Sequence, residues 1–147
     1  MTATDKTIDI CNALLRGEIS AIETYGQAIN KFASRVPDSA LQRIRSDHAK
    51  NAAALRMLVT DEGGEPSAAS GLWGDFVQAI EGVATLVGES PALRILQQGE
   101  ALGITEYKEA LDNPGLSERA RELIRRELLP PLSDHLIDLQ NRRDRAA

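Results

Sequence analysis

Gly17-Glu18-Ile19-Ser20-Ala21-Ile22-Glu23-Thr24-Tyr25, running on to Ala28-Ile29, returns later as Gly99-Glu100-Ala101-Leu102-Gly103-Ile104-Thr105-Glu106-Tyr107, running on to Ala110-Leu111. Each copy is followed by a Ser-Asp-His triplet, Ser46-Asp47-His48 after the first and Ser133-Asp134-His135 after the second. These are the only 2 histidines in the chain. A segment with an inward Glu followed by one with His, repeated once, reads as a duplicated helical hairpin, and two such hairpins make a four-helix bundle.

The spacing around each copy supports that reading. Ile8, Cys11, Leu15, Glu18, Ile22, Tyr25, Ile29 and Phe32 follow steps of three and four and fall on one helical stripe. Leu41, Ile44, His48, Asn51, Leu55 and Leu58 form a second stripe. Glu100 shares a third with Leu93, Ile104, Tyr107 and Leu111, and His135 lies between Leu128, Leu132 and Leu139 on a fourth. Each principal helix therefore aims one ionisable side chain at the core. Glu23, Glu106 and Glu109 fall off the stripes and are expected to be solvated.

Composition agrees. Of 147 residues 42% are hydrophobic, enough for the core of one domain spanning residues 1–147, and only 3% are aromatic. Ala, Leu, Glu and Arg dominate, the side chains that lose least rotamer freedom in a helix, so the class is all-α. A net charge of -5 with interspersed Lys and Arg argues against a nucleic-acid partner, which calls for a clustered basic face. Cys11 is the single cysteine and is expected to be a small core residue. The amino-terminal residues Met1 to Lys6 contain no apolar run for secretion or membrane insertion, so no membrane association and a cytoplasmic location are expected. No phosphate loop or organic-cofactor motif is present, and no organic cofactor is expected.

Punctuation places the helices. The first is predicted from Asp5 or Thr7 to about Ser34, before Pro37, and the second opens with Asp38 or Ser39 as cap and stops at Gly63-Gly64. A loop over Glu65 to Gly71 leads into an additional short helix from Leu72 to about Val87. Trp73 and Phe76 there would cover the end of the bundle or a dimer surface. Pro91 restarts or kinks the chain, Asn113-Pro114-Gly115 turns it, and the last helix runs from about Ser117 to Arg143 with a bend forced by Pro130-Pro131.

A buried carboxylate requires a cation, a hydrogen-bond network or a metal. Glu18, His48, Glu100 and His135 could together ligate Fe, Mn or Zn, with Tyr25 and Tyr107, each seven residues beyond its Glu, in reach of the ligands. The metal-free alternative pairs Glu18 with Tyr107 or Arg56, and Glu100 with Tyr25 or Arg126, in a polar core network.

Arg16-Gly17-Glu18 with Ala21-Ile22-Glu23-Thr24-Tyr25, the connection from Gly63-Gly64 to Leu72-Trp73-Gly74, and Gln98-Gly99-Glu100 with Tyr107-Lys108-Glu109-Ala110-Leu111 resemble the ferritin-like superfamily. More closely they resemble an uncharacterised bacterial group of ferritin-like four-helix-bundle proteins. The resemblance covers nearly the whole chain and implies a ferritin-like bundle with a carboxylate metal site. One departure bears on that site: metal-binding members carry Glu-x-x-His on the second and fourth helices, whereas Arg45 and Leu132 stand three residues before the histidines here. Both bridging carboxylates of a diiron site are thus missing, and Asn51 and Asp138, three residues after the histidines, could replace them only with a rearranged geometry.

Axial level separates two topologies. With a hairpin turn near Val36, Glu18 lies opposite Ala54 and is about six residues, roughly 9 Å, from the level of His48, and a turn near Pro114 offsets Glu100 from His135 by a similar amount. In an up-down bundle the two histidines are displaced in opposite directions. In a crossover bundle both arrive near the level of Tyr25 and can form a pair. Two functions follow. One is a Fe or Mn protein with oxidation or stress-related activity. The other is a metal-free structural or interaction bundle, as a homodimer, whose Glu, Tyr and His residues form a buried hydrogen-bond network.

Overall fold

The computed structural model describes residues 2–32, 39–70, 78 and 89–146. Helix α1 spans Ala3–Phe32, α2 Ser39–Asp61, α3 Glu89–Asp112, α4 Glu118–Leu123 and α5 Pro130–Ala146, with a π-helical turn at Ile124–Leu128 between the last two. No strand occurs among the described residues, and no helix there is long and apolar enough to cross a membrane. The expected short helix over Leu72 to Val87, with Trp73 and Phe76, and the expected end of the first helix at Ser34 both lie outside the described residues.

Local chemistry sets the boundaries. Thr2 and Asp5 form a reciprocal cap on α1: the Asp5 amide donates to Thr2 Oγ1 at 3.1 Å, and the Thr2 amide donates to Asp5 Oδ2 at 3.0 Å. Helix α2 ends at Gly63, whose φ of 88° suits a residue without Cβ. The Gly63 amide donates to the Thr60 carbonyl at 3.0 Å and the Gly64 amide to Val59 at 2.9 Å, which closes the last turn. Pro91 lies in the first turn of α3, where its missing N–H is not needed, so it starts a helix rather than kinking one. At the next turn Gly115 N donates to Asn113 Oδ1 at 2.9 Å, and the Ser117 side chain caps α4 by accepting from the Ala120 amide at 3.2 Å.

Pro130-Pro131 interrupt the last helix in a specific way. Neither can donate, and each ring would crowd the carbonyl four residues earlier. The preceding turn widens to the π form, with the Leu129 amide reaching back to Ile124 at 3.0 Å, and a new helix starts at Pro130. The Leu132 amide goes to Leu129 at 3.1 Å, and the Leu128 carbonyl accepts from the Asn51 side chain at 3.0 Å.

The contacts fix helix direction. Thr7 of α1 accepts from the Ser117 amide at 2.9 Å and donates to the Gly115 carbonyl at 3.3 Å, Glu18 meets Tyr107, and Tyr25 meets Glu100, so α1 and α3 run antiparallel. Since α2 folds back on α1, α2 and α3 point the same way, which is the crossover arrangement. The described start of the crossover climbs α1 in steps of one turn. Gly64 lies against Ile8, so close that a Cβ on it would stand 2.7 Å from the Ile8 side chain. Asn12 donates to the Glu65 carbonyl and accepts from the Ser67 amide, and Arg16 donates to Ser67 Oγ.

Two apolar clusters fill the bundle. One contains Cys11, Leu14, Leu15, Leu55, Leu58, Ala110, Ile124, Leu128 and Leu132 among others, and the second is built on Ala28, Leu41, Ile44, Leu93, Leu96 and Leu139. Between them lies a buried polar layer of Glu18, Thr24, His48, Asn51, Glu100 and His135.

Candidate metal centre

The layer is a continuous chain of hydrogen bonds across the bundle. Glu18 Oε2 lies 2.7 Å from His48 Nδ1, and Glu18 Oε1 accepts from the Tyr107 hydroxyl at 2.7 Å and, at 3.4 Å, from Asn51. His48 Nε2 lies 2.7 Å from Glu100 Oε1, which also accepts from the Tyr25 hydroxyl at 2.7 Å. Glu100 Oε2 lies 3.2 Å from His135 Nδ1, and His135 Nε2 lies 2.9 Å from Asp47 Oδ2. The repeat is thus closed on itself: each tyrosine bonds the glutamate of the other copy. The two imidazoles are neighbours, with ring centres 5.0 Å apart, and Tyr25 stacks on His48 at 5.5 Å.

Electrostatics follow from this geometry. Both nitrogens of His48 face carboxylate oxygens, which only accept, so His48 donates from both and is an imidazolium. Burial by itself would lower its pKa, but Glu18 and Glu100 outweigh burial and raise it from 6.5 to about 10. Burial would raise Glu100, yet His48 and His135 hold its carboxyl down at about 2. Burial, reinforced by the adjacent carboxylates, pushes both tyrosine hydroxyls well above 10.0, so they remain donors. Burial, then the Glu62 charge, raises the Cys11 thiol to about 11, which makes it an unreactive core group.

All four expected residues, Glu18, His48, Glu100 and His135, enter one network, and the expected Glu18–Tyr107 and Glu100–Tyr25 contacts are present. Across the axial offset expected between their levels, Glu18 meets His48 at 2.7 Å and Asn51 at 3.4 Å. His48, Glu100 and His135 each offer one ligand atom within 4.8 Å of the others'. Glu18 stands outside that group, on the far side of the His48 ring. Asp138 is also outside, bonded to Arg43 at 2.8 Å. Asp47 is the residue that sequence reasoning missed. The triplet Ser-Asp-His marks it, but marks Asp134 equally, and Asp134 is exposed. Glu106 departs from the solvated position expected for it and is half-buried.

Helix directions, crossover and the split core define a ferritin-like helical bundle. A solved structure described as a ferritin-like, diiron-carboxylate protein from Bacillus anthracis str. Ames is similar over 99% of this chain and 95% of that one, with a TM-score of 0.62 and 21% identity. The chain belongs to the family described as a domain of unknown function, DUF2383, whose model matches residues 6–113. No curated protein matches the sequence.

Proposed function

We propose that this protein binds a single divalent transition metal, Fe or Mn, at His48 Nε2, His135 Nδ1 and the Glu100 carboxylate. The observation that carries the reading is the disposition of the two imidazoles. Each turns one nitrogen to Glu100 and gives the other to a second carboxylate, Glu18 at 2.7 Å for His48 and Asp47 at 2.9 Å for His135. Metal-bound histidines are held in this manner, since an acceptor on the remote N–H fixes the ring and raises its basicity.

The residues do not fit a pair of irons. Arg45 and Leu132 occupy the positions from which bridging carboxylates would project; Arg45 is exposed and bonds the Ile22 carbonyl, and Leu132 is buried in the apolar core. They do fit one ion, because two imidazoles and a carboxylate form the set that suits non-haem iron and leaves positions open. Such an ion supplies redox chemistry toward oxygen or peroxide when bound. In this reading Glu18 is a positioning residue rather than a ligand, Tyr25 orients Glu100 through its hydroxyl, and the apolar clusters above and below keep bulk water out.

One observation favours a second reading. His48 holds both its nitrogens 2.7 Å from carboxylate oxygens, so the layer is satisfied with a proton between Glu18 and Glu100. The protein would then be a metal-free structural or interaction bundle, and self-association would be its measurable property. Elemental analysis of untagged protein expressed with added Fe, Mn and Zn separates the two. The metal reading expects close to one ion per chain, lost in Glu100→Gln. Metal-free wild-type protein under those conditions would overturn it and leave the second reading.

A further inference from the structure

A water-sized cavity of about 10 Å³ reaches into the middle of the bundle beside the polar layer. All four principal helices line it. Leu14, Gly17, Glu18 and Ala21 come from α1, His48 from α2, Gly103, Glu106 and Tyr107 from α3, and Leu132 from α5. Among the described cavities it is the one that touches residues of the candidate centre. Two of the lining residues, Gly17 of α1 and Gly103 of α3, have no side chain to fill it. No Lys or Arg lines it, and the His48 imidazolium stands at its inner end, held by Glu18.

Two carboxylates line it at different depths. Glu106 is half-buried and Glu18 is 4% exposed, while Glu100, 0% exposed, lies beyond the cavity on the other side of the His48 ring. Among the described residues no Lys, Arg or His lies within ion-pair distance of Glu106, so its charge faces the gap without a counter-ion. Burial, and then the charges of Glu109 and Glu18, raise its carboxyl above the usual range, as expected of a carboxylate held without a cation. At the opposite end of the layer Asp47 is bonded to His135 Nε2.

We infer that the gap between α1 and α3 at Gly17 and Gly103 is the passage by which a divalent cation reaches the centre, with Glu106 as its outer carboxylate and Glu18 as its inner one. The inference rests on the single-metal reading above. Carboxylates of one sign lining a low-dielectric cleft concentrate cations at its mouth and raise the rate of capture without changing the final occupancy.

Stopped-flow mixing of Co²⁺ with metal-free protein, followed through the visible absorption of bound Co²⁺, tests it. Glu106→Gln is expected to slow uptake about tenfold while saturating at the same Co²⁺ per chain as wild type. Glu109→Gln, which removes the same charge three residues on at an exposed site, is expected to change the rate by about twofold or less. Gly103→Ala, which adds a methyl group to the gap, is also expected to slow uptake. Equal rates for Glu106→Gln and Glu109→Gln, with Co²⁺ bound by all, would overturn the passage and leave the metal centre standing. Wild-type protein that develops no Co²⁺ absorption would overturn the metal reading and the passage together.

Discussion

Glu18 and Glu100 are sequence equivalents in the repeat, yet the folded chain treats them differently. Glu100 accepts from Tyr25, His48 and His135 and is fully buried, whereas Glu18 shares its Oε1 between Tyr107 and a longer contact to Asn51. His48 joins them, and its charge ties stability to pH. In the metal-free protein His48 is raised from 6.5 to about 10, so its contribution is complete below pH 6.5 and lost as the pH climbs toward 10. Glu100 is lowered from 4.5 to about 2, so its contribution is complete above pH 4.5 and lost as the pH falls toward 2. Both are fully present only between 4.5 and 6.5. Thermal melts across the alkaline limb check this: wild-type Tm is expected to decline from near neutrality to pH 10, and His48→Gln is expected to lose much of that slope. Parallel curves would remove His48 as the cause. The sequence made the inward Glu, Tyr and His residues legible because helical period places them. Asp47 was not legible, since the choice between Asp47 and Asp134 depends on how α2 and α5 cross, which no single-helix period encodes.

At the scale of the element, the end of α2 is legible in the sequence. Gly63-Gly64 announced the end of α2, and the structure gives the reason in the positive φ of Gly63 and the two bonds that close the last turn. A Cβ at Gly63 would meet nothing within 4 Å, so Gly63→Ala tests the backbone alone. Urea unfolding is expected to show a loss of about 1 kcal/mol, the cost of left-handed conformation in a residue with a Cβ, with no change in metal content. A loss near zero would mean that the turn relaxes to another form. That Glu18 reaches His48 and Glu100 reaches His135 was not legible, because it depends on side-chain reach and on topology rather than on the helical period. The expected bend is a π turn followed by a fresh start at Pro130, and a π turn advances the chain less per residue than an α turn. The break leaves the Leu128 carbonyl for Asn51, which links it to the polar layer.

At the scale of the molecule, the crossover makes the centre possible. Because α1 and α3 are antiparallel, the two copies of the repeat meet head to tail, and each Tyr reaches the other copy's Glu instead of its own. The fold class was legible from four apolar stripes, but this topology was not, because an up-down bundle needs the same stripes. The layer then divides the core into two apolar clusters, and its retention has to be explained, since buried ion pairs are often no more stable than well-packed apolar side chains of similar size. Removing one partner and removing the whole layer should therefore have opposite consequences. Glu100→Leu alone leaves the His48 and His135 imidazoles and the Tyr25 hydroxyl without their shared acceptor and is expected to cost about 3–5 kcal/mol. Adding Glu18→Leu, His48→Leu, His135→Leu, Tyr25→Phe and Tyr107→Phe removes the other members of the network; Asn51 keeps its bond to the Leu128 carbonyl, and Asp47, with its side chain 30% exposed, turns to water. Urea denaturation of metal-free protein is expected to place this sixfold variant at or above wild type. Such a result would assign the layer to ligand binding, because stability alone would not maintain it. A sixfold variant no more stable than Glu100→Leu would instead mean that the polar layer sets the register in which the four helices pack.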